Sequence, residues 1–166
     1  MLLLLLLLLS SLVALSCGQL CTRANYRDVL LDFVTSFNRA LWYQVRNTHA
    51  GGAQLLVGAS TAPHLRNVLS VAELECIAKQ VQWSLDFDID DVEFDASNSA
   101  LVSVRHSATS LELLQSVKLA FTAQERFTFA KDLTQKCRIV LHEMAWSALN
   151  PDVLLLNALL DPCIKD

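Results

Sequence analysis

The sequence is poor in glycine, with four among 166 residues, and it contains no glycine-rich phosphate loop. It also lacks an Asn-x-Ser/Thr sequon, so N-glycosylation is not expected. Basic side chains are outnumbered, with 13 Lys and Arg against 17 Asp and Glu, and the formal net charge is −4. A mildly acidic surface argues against nucleic acid or an anionic membrane as the main partner.

A leucine-rich leader opens the chain. Met1 is followed by eight leucines and then by small and apolar residues up to Gly18. The run is shorter than the roughly 20 apolar residues of a spanning helix, so it predicts a signal peptide over residues 1–18. Cleavage before Gln19 leaves four cysteines, an even number suited to an oxidising compartment, and cleavage before Cys17 is the alternative. We expect a secreted protein with one domain over residues 19–166 and no membrane span in the mature chain.

Apolar residues recur every three or four positions between Ala24 and Arg46, which is the period of one helix face. No glycine or proline interrupts this stretch. It therefore predicts one helix on the order of 35 Å long, whose apolar stripe must be covered by other parts of the chain or by a partner.

A second helix is expected after Ser70, because Ser70 and Glu73 form a capping box. From Leu85 to Phe94 apolar residues then alternate with acidic ones, and the alternation returns between Ala100 and His106. This pattern predicts an antiparallel β-hairpin. The short apolar run Gln54–Val57 fits either a strand or a buried loop.

Two further capping boxes, Thr109 with Glu112 and Thr122 with Glu125, predict two more helices, the second of them long and reaching Met144. After them, the segment from Asp152 to Leu160 is apolar nearly all round, as expected of a short helix that is buried or lies at an interface.

Four cysteines remain after the leader, and they allow three pairings. We favour Cys21–Cys163, which joins the two ends of the chain, and Cys76–Cys137, which joins the second helix to the long fourth one. In the chain-entropy model each bridge contributes on the order of 4 kcal/mol. The alternative is that some of these cysteines are buried free thiols.

The acidic stretch between Asp86 and Asp95 invites comparison with a calcium loop. An EF-hand loop starting at Asp86 needs glycine at its sixth position and glutamate at its twelfth. Those positions hold Asp91 and Ser97. A solvated strand face is the better interpretation of this stretch.

Two catalytic patterns are incomplete. His142-Glu143 begins like a zinc-protease helix, but the second histidine would fall at Trp146. Ser60, with His64 nearby, resembles a nucleophile elbow that lacks its last glycine. The four histidines show no ligand spacing. We therefore expect no catalytic residues, no metal site and no cofactor, and a protein that is not an enzyme.

Together these patterns predict a mainly helical, disulfide-linked bundle of four to five helices with a small β-hairpin insert, with an α+β arrangement as the alternative. This architecture is typical of helical cytokines and hormones, so we expect an extracellular binding or signalling protein that contacts a protein receptor. Its exposed patch would include Leu31, Trp42 and Tyr43. The alternative function is a carrier of an apolar small molecule in an internal cavity, suggested by the 53% hydrophobic composition and by the apolar segment from Asp152 to Leu160.

Overall fold

The computed structural model describes residues 21–59, 67–95, 98–110, 117–146 and 163. This part of the chain forms three α-helices and one seven-stranded mixed sheet. The predicted helical bundle is therefore wrong, and the fold is α+β. The predicted signal peptide, Ser60, His64 and the segment Asp152–Leu160 lie outside the described residues.

The predicted long first helix is divided in two. Helix α1 spans Arg23–Asn38, and helix α2 spans Trp42–Thr48. Between them Ala40 has a φ of 54°, in the left-handed region that ends helices. The apolar period of the sequence continues across this break, so the pattern did not indicate the turn. The second predicted helix is confirmed as α3, Val71–Gln80, with the predicted capping box at its start.

The strands are β1 (His49–Ala59), β2 (Asn67–Leu69), β3 (Val81–Asp86), β4 (Glu93–Phe94), β5 (Ser99–Ser110), β6 (Val117–Lys131) and β7 (Cys137–Trp146). Their order is β2-β1-β7-β6-β5-β3, with β4 also paired to β5. The β1–β7 pair is parallel and the other pairs are antiparallel. The predicted hairpin is therefore part of a large sheet, in which Leu85 lies opposite His106.

The helices predicted after Thr109 and Thr122 are wrong, since Thr109 lies in β5 and Thr122 in β6. The error has a geometric cause. Positions four residues apart share a face both in a helix and in a strand, so Phe121 and Glu125 fit either period. The intervening Ala123 is also buried, which only the strand period explains.

One face of the sheet packs against the three helices and forms the core. Along β3, β5 and β6 buried residues alternate with exposed ones, as expected of a sheet covered on one face. Phe33 of α1 is fully buried, and its ring meets those of Phe127 and His142 on the sheet. In the part of the chain that the structure describes, no helix is both long enough and apolar enough to span a membrane.

Two disulfides join the four cysteines, but not in the predicted pairs. Cys21 is bonded to Cys137, and Cys76 to Cys163. The predicted pairing placed Cys137 on a helix packed against α3. Cys137 instead begins β7, where the start of α1 brings Cys21 to a Cα–Cα distance of 5.8 Å.

Candidate functional site

Three neighbouring strands bring three ionisable side chains together under the helices. Glu125 comes from β6, His106 from β5 and His142 from β7. Each side chain lies on the inner face because it occupies a buried position of the alternating pattern, and all three are essentially inaccessible to solvent. A carboxylate and two imidazoles are thus placed in the middle of an otherwise apolar core.

Glu125 holds both histidines. Its Oε2 lies 2.7 Å from Nε2 of His142, a hydrogen bond, and its Oε1 lies 2.8 Å from Nε2 of His106. The second contact approaches at a poor angle and is mainly electrostatic. Burial raises the pKa of Glu125, but the attraction of His142 and the contacts of both imidazoles outweigh it and hold the pKa at about 2. The carboxylate is therefore ionised at neutral pH and can only accept hydrogen bonds.

Trp83 fixes the hydrogen of His106. Its indole Nε1 lies 3.1 Å from Nδ1 of His106. An indole N–H can only donate, so Nδ1 of His106 must be the acceptor, and the ring hydrogen must sit on Nε2, facing Glu125. The ring of His106 is also stacked on Phe121, with centroids 4.6 Å apart. Together these contacts hold the imidazole of His106 in a single orientation beside the Glu125 carboxylate.

A third histidine lies next to this group. His49, at the start of β1, is buried with its ring centroid 6.5 Å from that of His142. Its Nδ1 lies 2.9 Å from the carbonyl oxygen of Val45, so Nδ1 carries the hydrogen and Nε2 is bare. Burial, opposed by the hydrogen bond to the Val45 carbonyl and assisted by nearby His142, lowers the pKa of His49 to about 4. His49 is therefore neutral at pH 7.

Three ring nitrogens in this group lack a hydrogen-bond partner among the described residues: Nε2 of His106, which faces Glu125 at a poor angle, Nδ1 of His142 and Nε2 of His49. The ring of Phe33 is nearly perpendicular to both imidazoles, at centroid distances of 5.4 Å from His49 and 5.6 Å from His142. A buried polar atom without a partner costs about 1–3 kcal/mol. Nδ1 of His142 and Nε2 of His49 belong to neighbouring rings, so these two nitrogens are the candidate ligand-binding atoms of the group.

A polar surface depression of about 340 Å³ is lined by Thr48, the residue before His49. Thr48 lies at its base, and the hydroxyl of Thr48 is 3.1 Å from Nδ1 of His49. The remaining lining residues are polar or charged: Asp32, Ser36, Gln44, Asn47 and Arg138. Thr48 therefore connects this depression with the buried histidines, none of which lines it.

The residues predicted to form an interface do not join this group. Leu31 and Tyr43 are exposed, at 42% and 79%, while Trp42 is half-buried and packs against Phe37. No contact in the structure tests the patch, so it stays a prediction. His142, considered for a zinc helix, instead faces Glu125 from a strand. Among the described residues no group of three or more His, Cys, Asp or Glu side chains is arranged to hold a metal ion.

The capping-box pattern at Thr122 and Glu125 predicted a helix start and did not indicate Glu125 as a site residue. One signal could have identified it. Glu125 stands in phase with Phe121 and Phe127 in an alternating run, so it is a charged residue at a core position. Such a residue must find a partner inside the protein, and a histidine in the neighbouring alternating run, His106, was available.

Solved structures share this fold. An epoxide hydrolase/cyclase-like enzyme, SalBIII, from pyran ring formation in the polyether salinomycin, superposes with a TM-score of 0.61 at 11% identity, over 77% of this chain and 95% of that one. An LEH-like epoxide hydrolase of Mycobacterium tuberculosis gives 0.58 at 12% identity, over 84% and 97%. An NTF2-like protein of unknown function from Burkholderia pseudomallei gives 0.55 at 13% identity, over 80% and 95%. The chain has an NTF2-like fold. No family model and no curated protein matches the sequence.

The NTF2-like fold corrects the functional predictions. The cytokine- or hormone-like function is wrong because it rested on a helical bundle, and the solved structures of this fold include enzymes instead. The prediction that the protein is not an enzyme is wrong for the same reason. The carrier alternative gains no support, since the segment that suggested it lies outside the described residues.

Proposed function

We propose that the protein is an enzyme in which His142 is the general acid–base residue, activating water for attack on a small neutral electrophile, with an epoxide as the substrate class. The observation that supports this most is the pairing of His142 with a buried, ionised Glu125, while its other ring nitrogen has no partner. A carboxylate behind an imidazole holds the ring and stabilises its protonated form. The second nitrogen is then the one that exchanges protons with the reactants.

His49 complements His142 in this proposal. When His142 is neutral, its Nδ1 and the Nε2 of His49 are two bare acceptors on neighbouring rings. A water molecule has two hydrogens to donate, so it satisfies both nitrogens at once. His49, with its pKa lowered to about 4, stays neutral and only orients the water. His142, with a carboxylate behind it, takes the proton.

The reaction balances without a cofactor. Nδ1 of His142 removes one proton from water as the water oxygen forms a bond to an epoxide carbon. The carbon–oxygen bond of the three-membered ring breaks, and its electron pair stays on the leaving oxygen. The proton then passes from Nδ1 of His142 to that oxygen, which gives a diol and restores the enzyme. Phe33, edge-on to both imidazoles, must turn aside to admit the substrate.

Two features support this choice of chemistry and one supports the cellular location. Both solved enzymes named above bear epoxide hydrolase in their names, and at 11–12% identity this likeness supports a reaction class only. The depression over Thr48 is the approach we assign to the substrate. The leucine-rich leader and two disulfides support a secreted enzyme.

The test is hydrolysis of a panel of terminal and cyclic epoxides, such as styrene oxide and cyclohexene oxide, in ¹⁸O-labelled water. We expect diol carrying one labelled oxygen. The variant His142→Gln should lower kcat/KM about 100-fold or more, because proton transfer by a positioned side chain contributes that much.

The matched control is Glu143→Gln, one residue along β7 but on the opposite face of the sheet, where it lies 4.0 Å from Arg126. It should keep the wild-type rate. The proposal fails if the folded wild-type protein hydrolyses none of the epoxides, or if His142→Gln retains its native circular dichroism and the wild-type kcat/KM.

A further inference from the structure

A second feature lies at one edge of the sheet, at the backbone of Trp83, whose indole also donates to His106. Among the strands that the structure describes, β3 is the last on its side of the sheet, so no described strand covers its outer edge. Asn38 of α1 covers part of that edge. Its Nδ2 donates to the carbonyl oxygen of Leu85 and its Oδ1 accepts from the N–H of Leu85, both at 2.8 Å. A carboxamide thus satisfies the donor and acceptor of one edge residue.

Two residues earlier on β3, the backbone N–H and C=O of Trp83 form a second donor–acceptor pair of the same kind, and this pair has no partner among the described residues. In an antiparallel pair the N–H and C=O of alternate residues point away from the partner strand. Because those of Leu85 point outward to Asn38, those of Trp83 point outward as well. Among the described residues neither backbone group of Trp83 has a hydrogen-bond partner outside the strand ladder. Trp83 therefore presents one donor and one acceptor in the geometry that a carboxamide fills at Leu85.

A cleft of about 470 Å³ lies beside this edge, between α3 and the α1–α2 junction. Three of its nine described lining residues are aromatic, and the others are alanines or polar and charged residues. Phe37 lies nearly perpendicular to both indoles, at centroid distances of 5.3 Å from Trp42 and 6.0 Å from Trp83. Ala78 adds a small apolar side chain, and Lys79 lies on the lining as well. The volume and the aromatic side chains suit a molecule of one or two rings.

We propose that this cleft binds a flat, neutral molecule that carries an N–H donor and a C=O acceptor on the same side, namely a lactam or a primary carboxamide. The amide pairs with the backbone of Trp83, and the ring system lies among Phe37, Trp42 and Ala78. The indole N–H of Trp83 is already held by His106, so the wall is preorganised. The site is independent of the proposed hydrolase activity.

The backbone groups on either side of Trp83 are already bonded, which favours binding of a single amide group over a peptide strand. Asn38 occupies the next pair along the edge, at Leu85. On the other side the N–H of Val81 is bonded to the carbonyl oxygen of Ile77 at the end of α3. The open pair at Trp83 lies between Leu85, where both groups are bonded, and Val81, whose N–H is bonded, so it accommodates one amide group, whereas an added β-strand needs several pairs in register.

The probe is quinolin-2(1H)-one, a flat lactam, and its matched control is 1-methylquinolin-2-one, which keeps the ring and carbonyl but has no N–H donor. We expect titration calorimetry of the full chain to show one molecule of lactam bound per protein, with the N-methyl compound at least tenfold weaker. Native-state hydrogen exchange should show the Trp83 amide unprotected in the free protein, while the amides of Gln82 and Ser84 are protected. Saturation with lactam should slow exchange at Trp83 by tenfold or more.

The variant Ala78→Met should fill the cleft and weaken lactam binding at least tenfold, and Leu31→Ala, on the exposed surface of α1, should leave it unchanged. The proposal is overturned if the Trp83 amide is already protected in the free protein, or if the N-methyl compound binds as tightly as the lactam. Both readouts use the wild-type chain and need no enzymatic activity. Failure of the hydrolase proposal would leave them unaffected.

Discussion

Replacing Glu125 by alanine is expected to lower the free energy of unfolding by about 3–5 kcal/mol, because removal of one partner leaves the others buried without compensation. Nε2 of His142 donates to the Glu125 carboxylate and Nε2 of His106 lies 2.8 Å from it, and among the described residues neither nitrogen has another acceptor. A methyl group in its place also leaves space in a closely packed core. The measurement is denaturant unfolding at pH 7 with the disulfides intact.

Glu143→Ala is the control for this prediction, since Glu143 follows His142 on β7 but lies on the other face and is partly exposed. It should change stability by less than about 1 kcal/mol. The pH matters because the folded-state pKa of Glu125, about 2, lies below its ordinary value of 4.5. The stabilisation is therefore fully present above pH 4.5 and is lost as the pH falls toward 2. A Glu125→Ala loss at pH 7 no larger than that of Glu143→Ala would contradict a paired carboxylate.

Removing the Cys21–Cys137 disulfide with the double variant Cys21→Ala/Cys137→Ala is expected to cost about 4–5 kcal/mol. The two cysteines are 116 residues apart, so the bridge restricts nearly the whole domain in the unfolded state. It also fixes the start of α1 against β7, and α1 carries Phe33 onto the histidine group. Thermal and denaturant unfolding of the double variant, with Cys76–Cys163 intact, measure the loss.

The variant Thr22→Ala distinguishes the stability contributed by the disulfide from that contributed by the neighbouring helix cap. Thr22 is the N-cap of α1 and lies next to Cys21, so its loss removes a cap at a cost of about 1 kcal/mol without opening the bridge. A cysteine double variant no less stable than Thr22→Ala would show that this disulfide does not restrict the unfolded chain.

Local signals predicted the elements that local interactions determine. The Ser70 and Glu73 capping box correctly located α3, because a cap is satisfied within four residues. The capping-box pattern at Thr122 failed, because β6 pairs along its length with β5 and β7, and those partners lie well away in sequence. Propensity and short motifs carry no information about such pairing, so tertiary structure overrode them.

The candidate site was beyond prediction for a related reason. His49, His106 and His142 show no spacing along the chain, and only the strand order β1-β7-β6-β5 brings them to one place. The disulfides were mispaired for the same cause, since their pairing depends on which strand lies beside α1. A charged residue in phase with apolar ones was visible at Glu125, but its partners became identifiable only once the sheet was known.

The most direct test of the histidine group is a pH titration of the wild-type protein by two-dimensional ¹⁵N–¹H NMR of the imidazole rings. We predict that at pH 7 the ring hydrogen of His106 sits on Nε2 and that Nε2 of His142 also carries a hydrogen. His49 should be neutral, with its hydrogen on Nδ1. His49 should stay neutral until the pH approaches 4. A His106 ring protonated on Nδ1, or a His49 that is charged at pH 6, would contradict the arrangement from which the proposed chemistry follows.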